Sequence, residues 1–285
     1  MNKLNQDELN SLKDFCIMMR EDILKTISNS KSGHPGGSLS CVEILTILYK
    51  KIMKTCPKWH NDKDFENRDR FVLSKGHASP AFYAILANCG YFDKNLLSTF
   101  RKINSHLQGH PSFGHLAGIE VSTGSLGQGV SMACGIALGL KIDKKDSRVY
   151  TLLGDGEMQE GQVWEALMHA SHRHLDNLCV IVDRNRLQID GEVDSVKSLG
   201  NLSKKLSSFG FEVLEVDGHN LEQIYDALIK SKEISKETDN PTAIIANTIK
   251  GRGVSFMENN ASWHGNPPSQ EQLEVALQEL RGKKC

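Results

Sequence analysis

The chain has no apolar run approaching the ~18 residues of a membrane-spanning helix, so no membrane association is expected of it. It has no excess of charge of either sign: 34 Lys and Arg stand against 35 Asp and Glu, a net charge of −1. That balance removes the basic face of a nucleic-acid binder and the acidic block of a solvated tail. No Cys-x-x-Cys pair occurs among the seven cysteines, at 16, 41, 56, 89, 134, 179 and 285. An odd, scattered set reads as reduced thiols, most of them small core residues. The opening MNKLNQDELNSLKDF lacks the apolar segment of a signal peptide, so the expected location is cytoplasmic. Internal repeats, low-complexity segments and linkers rich in Pro, Gly or Ser are absent as well. With 285 residues, 39% hydrophobic and 24% charged, a single domain spanning 1–285 is the simplest organisation.

What is present is an alternation of helical and strand-like segments. Helical patterns fall at 6–29, 39–52, 79–89, 127–141, 162–174, 220–232 and 268–281. In the first, Leu9, Leu12, Phe15, Cys16 and Met19 share one face. Apolar strand runs fall at 70–73, 149–153, 178–183, 211–216 and 242–247. This order predicts an α/β fold, a doubly wound and mostly parallel sheet with helices on both faces. Segments 31–38, 103–125 and 251–265 read as loops, the second long enough to suggest a functional one. Helix 127–141 carries Gly129, Ser131, Ala133, Gly135, Ala137 and Gly139, which suggests close packing, for instance between subunits.

Two short motifs sit at strand ends. Gly154-Asp155-Gly156 follows the run 149–153, and Asn185 follows the run 178–183. With 162–174 as the crossover helix, both land at the carboxyl ends of neighbouring parallel strands, where open α/β sheets bind ligands. A carboxylate and an amide oxygen there are hard ligands suited to Mg²⁺ or Ca²⁺. Gly154 and Gly156 let backbone approach a phosphate with no Cβ in the way. Alone, Gly-Asp-Gly is an ordinary β-turn sequence; the second motif is what makes it a site.

The pair, with its spacing, resembles the thiamine-diphosphate enzymes, and the chain as a whole resembles the transketolase family. The matching segments are SGHPGGSLS (32–40), DRFVLSKGHASPA (69–81), QGHP (108–111), STGSLGQG (122–129), GDGEMQEGQVWEA (154–166), DRNRLQIDG (183–191), TIKGRGVSFMEN (248–259) and WHG (263–265). The resemblance implies a diphosphate-binding domain holding thiamine diphosphate and Mg²⁺, with Ca²⁺ or Mn²⁺ as substitutes. It implies a metal shell of Asp155, Asn185 and the Leu187 carbonyl. It assigns His77 and His264 to the cofactor diphosphate, alongside Gly154 and Gly156, and Gly124 and Leu126 to the cofactor's ring pocket. His34 and His110 would reach the sugar's hydroxyls and, with His264, serve proton transfer. Histidine suits this because it both donates hydrogen bonds and moves protons near neutral pH. Glu160 has two readings of equal standing: a glutamate between two cofactors at a dimer interface, or a carboxylate favouring a helix N-terminus. Glu165 fits the same interface. Lys75 receives no role. His169, His172 and His174 read as surface or packing residues of the crossover helix, and Lys197, Lys204 and Lys205 as solvated.

In this family the glutamate that activates the cofactor's aminopyrimidine comes from a second α/β domain, and nothing in this sequence matches that domain. The expectation is a split enzyme. A C-terminal, aminopyrimidine-binding chain would complete the sites in an α2β2 heterotetramer acting on sugar phosphates, as in the pentose phosphate pathway. The rivals are the α subunit of a 2-oxo-acid dehydrogenase, which shares the Gly-Asp-Gly and Asn pattern, and a non-catalytic cofactor-binding or regulatory half.

Overall fold

A computed structural model describes residues 3–61 and 63–282. Cys285 and the outermost positions of the expected 1–285 domain lie outside the described residues. Helix α1 (Gln6–Ser30) starts at a reciprocal cap: the Asn5 side chain accepts from the Glu8 N–H, and the Glu8 carboxylate accepts from the Asn5 N–H. Its inner face buries Leu9, Leu12, Cys16, Met19, Ile23 and Ile27, while Phe15 is only half-buried. The single helix expected over 39–52 is instead α2 (Pro35–Leu39) and α3 (Val42–Ile47), the latter running into a π-turn at Leu48–Ile52. The break at Ser40 and Cys41 has a cause. The Ser40 hydroxyl turns to the Asp183 carboxylate 2.6 Å away, and Gly36 lies so close to Lys250 and the Trp263 carbonyl that a Cβ would come within 2.9 Å of each.

Then come β1 (Arg70–Leu73), α4 (Ser79–Asn88), α5 (Gln128–Ile142), β2 (Val149–Gly154), α6 (Gly161–His172) and β3 (Leu178–Arg184). A two-residue hairpin follows, β4 (Leu187–Gln188) and β5 (Gly191–Glu192), with α7 (Val193–Lys197) and α8 (Leu202–Ser208); the sequence periodicity showed none of these four. The chain closes with β6 (Glu212–Asp217), α9 (Leu221–Thr238), β7 (Thr242–Asn247) and α10 (Gln270–Arg281). Residues 103–125 contain neither helix nor strand, as expected.

Five strands form one wholly parallel sheet in the order β1-β2-β3-β7-β6, with Gly154 beside Asp183 and Asp183 beside Ala246 in register. The inner strands are buried on both sides, so their residues alternate between two apolar cores. Tyr150, Leu152, Cys179, Ile181 and Ile244 face the core made with α1, α3, α4, α9 and α10. Val149, Leu153, Val180, Val182 and Ile245 face the core made with α5, α6 and α8. Right-handed crossovers explain the division: the chain advances from β1 to β3, skips one position to β6, then steps back to β7. Connections leaving β3 and β7 therefore part to opposite faces, and a crevice opens between them at the carboxyl ends of the strands.

Candidate active site

The Gly-Asp-Gly turn closes β2 on the near side of that crevice, where the segments after β1, β2, β3 and β7 converge. Asp155 is 2% exposed, and its carboxylate accepts from the backbone N–H of Gly156 at 2.9 Å and from that of Arg186 across the crevice. Burial, reinforced by the charge of Asp183, pushes the Asp155 carboxyl up to about 6. Asn185 donates to Asp183 at 3.2 Å, and its oxygen accepts from the Leu187 N–H at 3.1 Å. The Leu187 carbonyl accepts from the Lys250 ammonium at 2.9 Å, and the same ammonium donates to His264 Nδ1 at 2.9 Å. Burial and the neighbouring Lys75 push Lys250 down to about 8. Asp155, Asn185, Leu187, Gly154 and Gly156 line one cavity of about 310 Å³ with His77, His264, Leu126, Lys250 and Glu160.

These residues fit a hard divalent cation. The donors are all oxygen, a carboxylate, an amide and a main-chain carbonyl, the set such ions prefer. A carboxylate accepts at four lone-pair positions, and backbone bonds use only two of Asp155's. Asp155 is raised by burial and by Asp183, and Lys250 already rests on the Leu187 carbonyl.

The four loop histidines converge as expected. The His34 ring lies 5.3 Å from that of His77, 5.5 Å from that of His264 and 6.5 Å from that of His110, and His77 stacks on His264 at 5.2 Å. All four are held neutral. Burial, then Arg101 and His110, push His34 down to about 4; burial and Lys250 push His264 to about 3. Burial and Lys75 hold His77 well below its ordinary value, and partial burial and Arg101 lower His110. His34 Nδ1 is buried without a hydrogen-bond partner, a nitrogen left for something the protein does not itself supply.

Gly124 has φ +138°, and a Cβ there would come within 2.8 Å of the His110 ring. It touches Gly76 backbone to backbone, since a Cβ on Gly76 would lie 2.7 Å from the Gly124 nitrogen. Glu160 is exposed at the start of α6 and makes no side-chain cap bond, and Glu165 is exposed one turn on. His169 and His172 end α6, whereas His174 lies beyond the helix in a turn with φ +50°. No cluster of three or more His, Cys, Asp or Glu fit to hold a metal occurs among the described residues, so these three stay surface residues.

Three functional residues escaped the sequence reading. Lys75 is 1% exposed and donates to Asp183 at 2.5 Å and to the Gly37 carbonyl at 2.7 Å. Burial alone would raise the Asp183 carboxyl, but Lys75 and the hydroxyls of Ser40 and Thr248 outweigh it and hold it low. Through Asp183 this pair fixes Asn185, and through Gly37 the loop that carries His34. Glu157 is likewise buried, accepting from Ser74 Oγ at 2.5 Å, from the Gly127 N–H at 3.0 Å and from the Gly154 N–H at 3.1 Å. Lys250 is the third. Lys75, Glu157 and Lys250 all stand inside the family-like motifs, but no spacing marks a buried charge.

Comparison with known proteins agrees with this geometry. Residues 13–283 match the family described as "Transketolase, thiamine diphosphate binding domain". The chain is 42% identical to one subunit of the apulose-4-phosphate transketolase of Phocaeicola vulgatus, over 92% of this chain and 90% of that protein. It is also 42% identical to the 6-deoxy-6-sulfo-D-fructose transketolase subunit SqwG of Clostridium sp. (strain MSTE9), over 92% and 94%. It is 41% identical to the transketolase of Homo sapiens, of which it spans 43%. Among solved structures, the transketolase from Leishmania mexicana superposes with a TM-score of 0.87 at 30% identity, over 95% of this chain and 41% of that one.

Proposed function

Because the chain belongs to the transketolase family, we propose that it is the diphosphate-binding subunit of a two-chain transketolase. It would move a two-carbon ketol unit from a ketose phosphate to an aldose phosphate. The observation that carries this reading is a cluster of four histidine rings, of which His77 and His264 line one cavity with an oxygen-only donor set at the carboxyl ends of β1, β2, β3 and β7. The match to two proteins named as transketolase subunits, each covered over nine-tenths of its length or more, supports a partner chain. Their named substrates differ, so the sugar is the variable part of the proposal.

Asp155, Asn185 and the Leu187 carbonyl would hold Mg²⁺, and His77, His264, Lys250 and Gly156 would face the diphosphate. Bound there, thiamine diphosphate supplies a nucleophile and an electron sink. The protein's own part is positional and electrostatic. Lys250 offsets part of the diphosphate charge. Gly124 and Leu126 shape one wall of the ring pocket. His34 and His110, deprotonated at neutral pH, can accept a proton from a sugar hydroxyl and return it. The arrangement invoked is two copies of this chain with two of its partner, a closed two-fold assembly in which Glu160 and Glu165 lie between the sites. The deciding experiment mixes this chain with the candidate partner, thiamine diphosphate and Mg²⁺, and screens ketose and aldose phosphates for ketol transfer. Failure of every combination, with cofactor bound, refutes the proposal.

A further inference from the structure

At the opposite pole of the sheet, where the strands begin, lies a second cavity of about 430 Å³. The end of α5 and its following turn bring Lys141, Lys144 and Lys145 to it, and the start of β2 brings Arg148. α9 adds Lys232 and Lys236, and the segment before β1 adds Lys54. Seven cations thus surround it against three aspartates, Asp69, Asp146 and Asp176, in a chain of net charge −1. The aspartates do little to neutralise them. Asp176 is taken by Lys141 at 2.5 Å, and Asp146 by Lys54 at 3.5 Å. Asp69 accepts from two backbone N–H groups, those of Lys54 and Arg148, both at 2.8 Å. Lys144, Lys145, Arg148, Lys232 and Lys236 form no salt bridge among the described residues.

Arg148 Nη1 donates to Ser235 Oγ at 3.0 Å, and its remaining nitrogens are closed off beside the Tyr150 hydroxyl, so Arg148 adds its charge to the cavity wall but no open donor. Lys232 donates only to the Ile52 carbonyl, at 3.1 Å. Its ammonium is held below its ordinary value by burial and by the cations Arg148 and Lys54, against the counterweight of Asp69.

We propose that this cavity is a second, separate anion site, built for a small ligand carrying a chain of two or more phosphates. Its size falls within that of small-ligand pockets. One phosphate accepts from Lys232 beside the charge of Arg148, and the next is held by the outer lysines of α5 and α9. The site shares no residue with the cofactor crevice.

Inorganic tripolyphosphate, titrated calorimetrically at low salt into the whole chain pre-saturated with thiamine diphosphate so that the cofactor crevice is occupied, tests this. One ion per chain is expected. The triple change Lys144→Gln, Lys145→Gln and Lys236→Gln, in side chains that make no ion pair, leaves the fold intact and weakens binding ~10-fold or more, given the loss of three charges at short range. Arg148→Gln weakens it further, and Lys250→Gln at the cofactor crevice leaves it unchanged. The same loss of charge elsewhere, at Lys31, Lys63 and Lys102, has no effect on affinity. The proposal is overturned by no saturable binding, by an equal loss from the remote triple, or by loss in Lys250→Gln with retention in Arg148→Gln. A nucleoside triphosphate serves as the second probe: its binding without any binding of tripolyphosphate also overturns recognition of the phosphate chain.

Discussion

Asp155 illustrates what a single carboxylate does here. It is the only anionic side chain in the proposed metal shell, and removing it leaves a diphosphate facing an unscreened site. Asp155→Ala is expected to weaken thiamine diphosphate binding ~100-fold or more, beyond the ~10–100-fold typical of changes behind the ligands; excess chelator should do the same, and calorimetry reads both. The histidines make a different prediction. A histidine whose folded pKa is depressed contributes stability that is present above its unfolded value of ~6.5 and is lost as pH falls. His34, pushed to about 4, and His77, lower than usual, should therefore make the chain acid-labile from about pH 6.5 downward. Each proton that the unfolded chain takes and the folded one refuses adds up to ~1.4 kcal/mol per pH unit. Urea melts at pH 7.5 and pH 5 should show this gap, and His77→Gln should narrow it. At this scale the sequence was largely readable. His34, His77, His110 and His264 stand beside Gly, Pro or Trp in short motifs, and they meet within 6.5 Å wherever the rings are paired. Lys75, Glu157 and Lys250 were not, because burial of a charge depends on partners 83 to 108 positions away for the first two.

Among the elements, strands were more readable than helices. A two-sided buried strand writes itself as an unbroken apolar run, which is how 149–153 and 178–183 stood out. α7 and α8 are short and half-exposed, with too few buried residues to set a period. The break between α2 and α3 was hidden because it serves tertiary contacts of Ser40 and Gly36, not local propensity. Lys75 and Asp183 join these elements: one ion pair holds the ends of β1 and β3 and, through the Gly37 carbonyl, α2. Removing one partner of such a buried pair typically costs ~3–5 kcal/mol. Lys75→Met is expected to show a loss of that order in urea unfolding, with Lys75→Met combined with Asp183→Leu recovering part of it. At Gly124, alanine must adopt φ +138° and meet the His110 ring, so Gly124→Ala should lower turnover in the reconstituted enzyme far more than it lowers stability.

Across the molecule, one surface stands apart. On α5, Gly129 packs against Ser74 inside the fold, but Cβ atoms on Gly135 and Gly139 would meet nothing within 4 Å. Ile142, on the same helix, and Met168 on α6 are 70% and 59% exposed. The small-residue pattern in the sequence thus had two sources, one internal and one facing outward. A stable obligate interface buries more than ~2,000 Å², and this face is the expected place for part of it. Gly135→Glu should leave the isolated chain folded, judged by its melting temperature, while abolishing assembly with the partner and with it ketol transfer. The unaltered chain alone should show no transfer with thiamine diphosphate and Mg²⁺; turnover without any partner would contradict the two-chain reading.

The Glu157 carboxylate has a further consequence in time. Its donors belong to segments around residues 74, 127 and 154, so its bonds close loops of 83 and 30 residues as well as a local turn. While the chain is still collapsing, a carboxylate buried before those segments arrive would lack its partners and resist burial. The turn carrying Asp155 is therefore expected to gain protection in pulse-labelled hydrogen exchange only after β1 and the start of α5 have docked. Parallel sheets already fold slowly because their pairings are distant along the chain, and on this expectation competence to take up the cofactor would arrive late in that assembly.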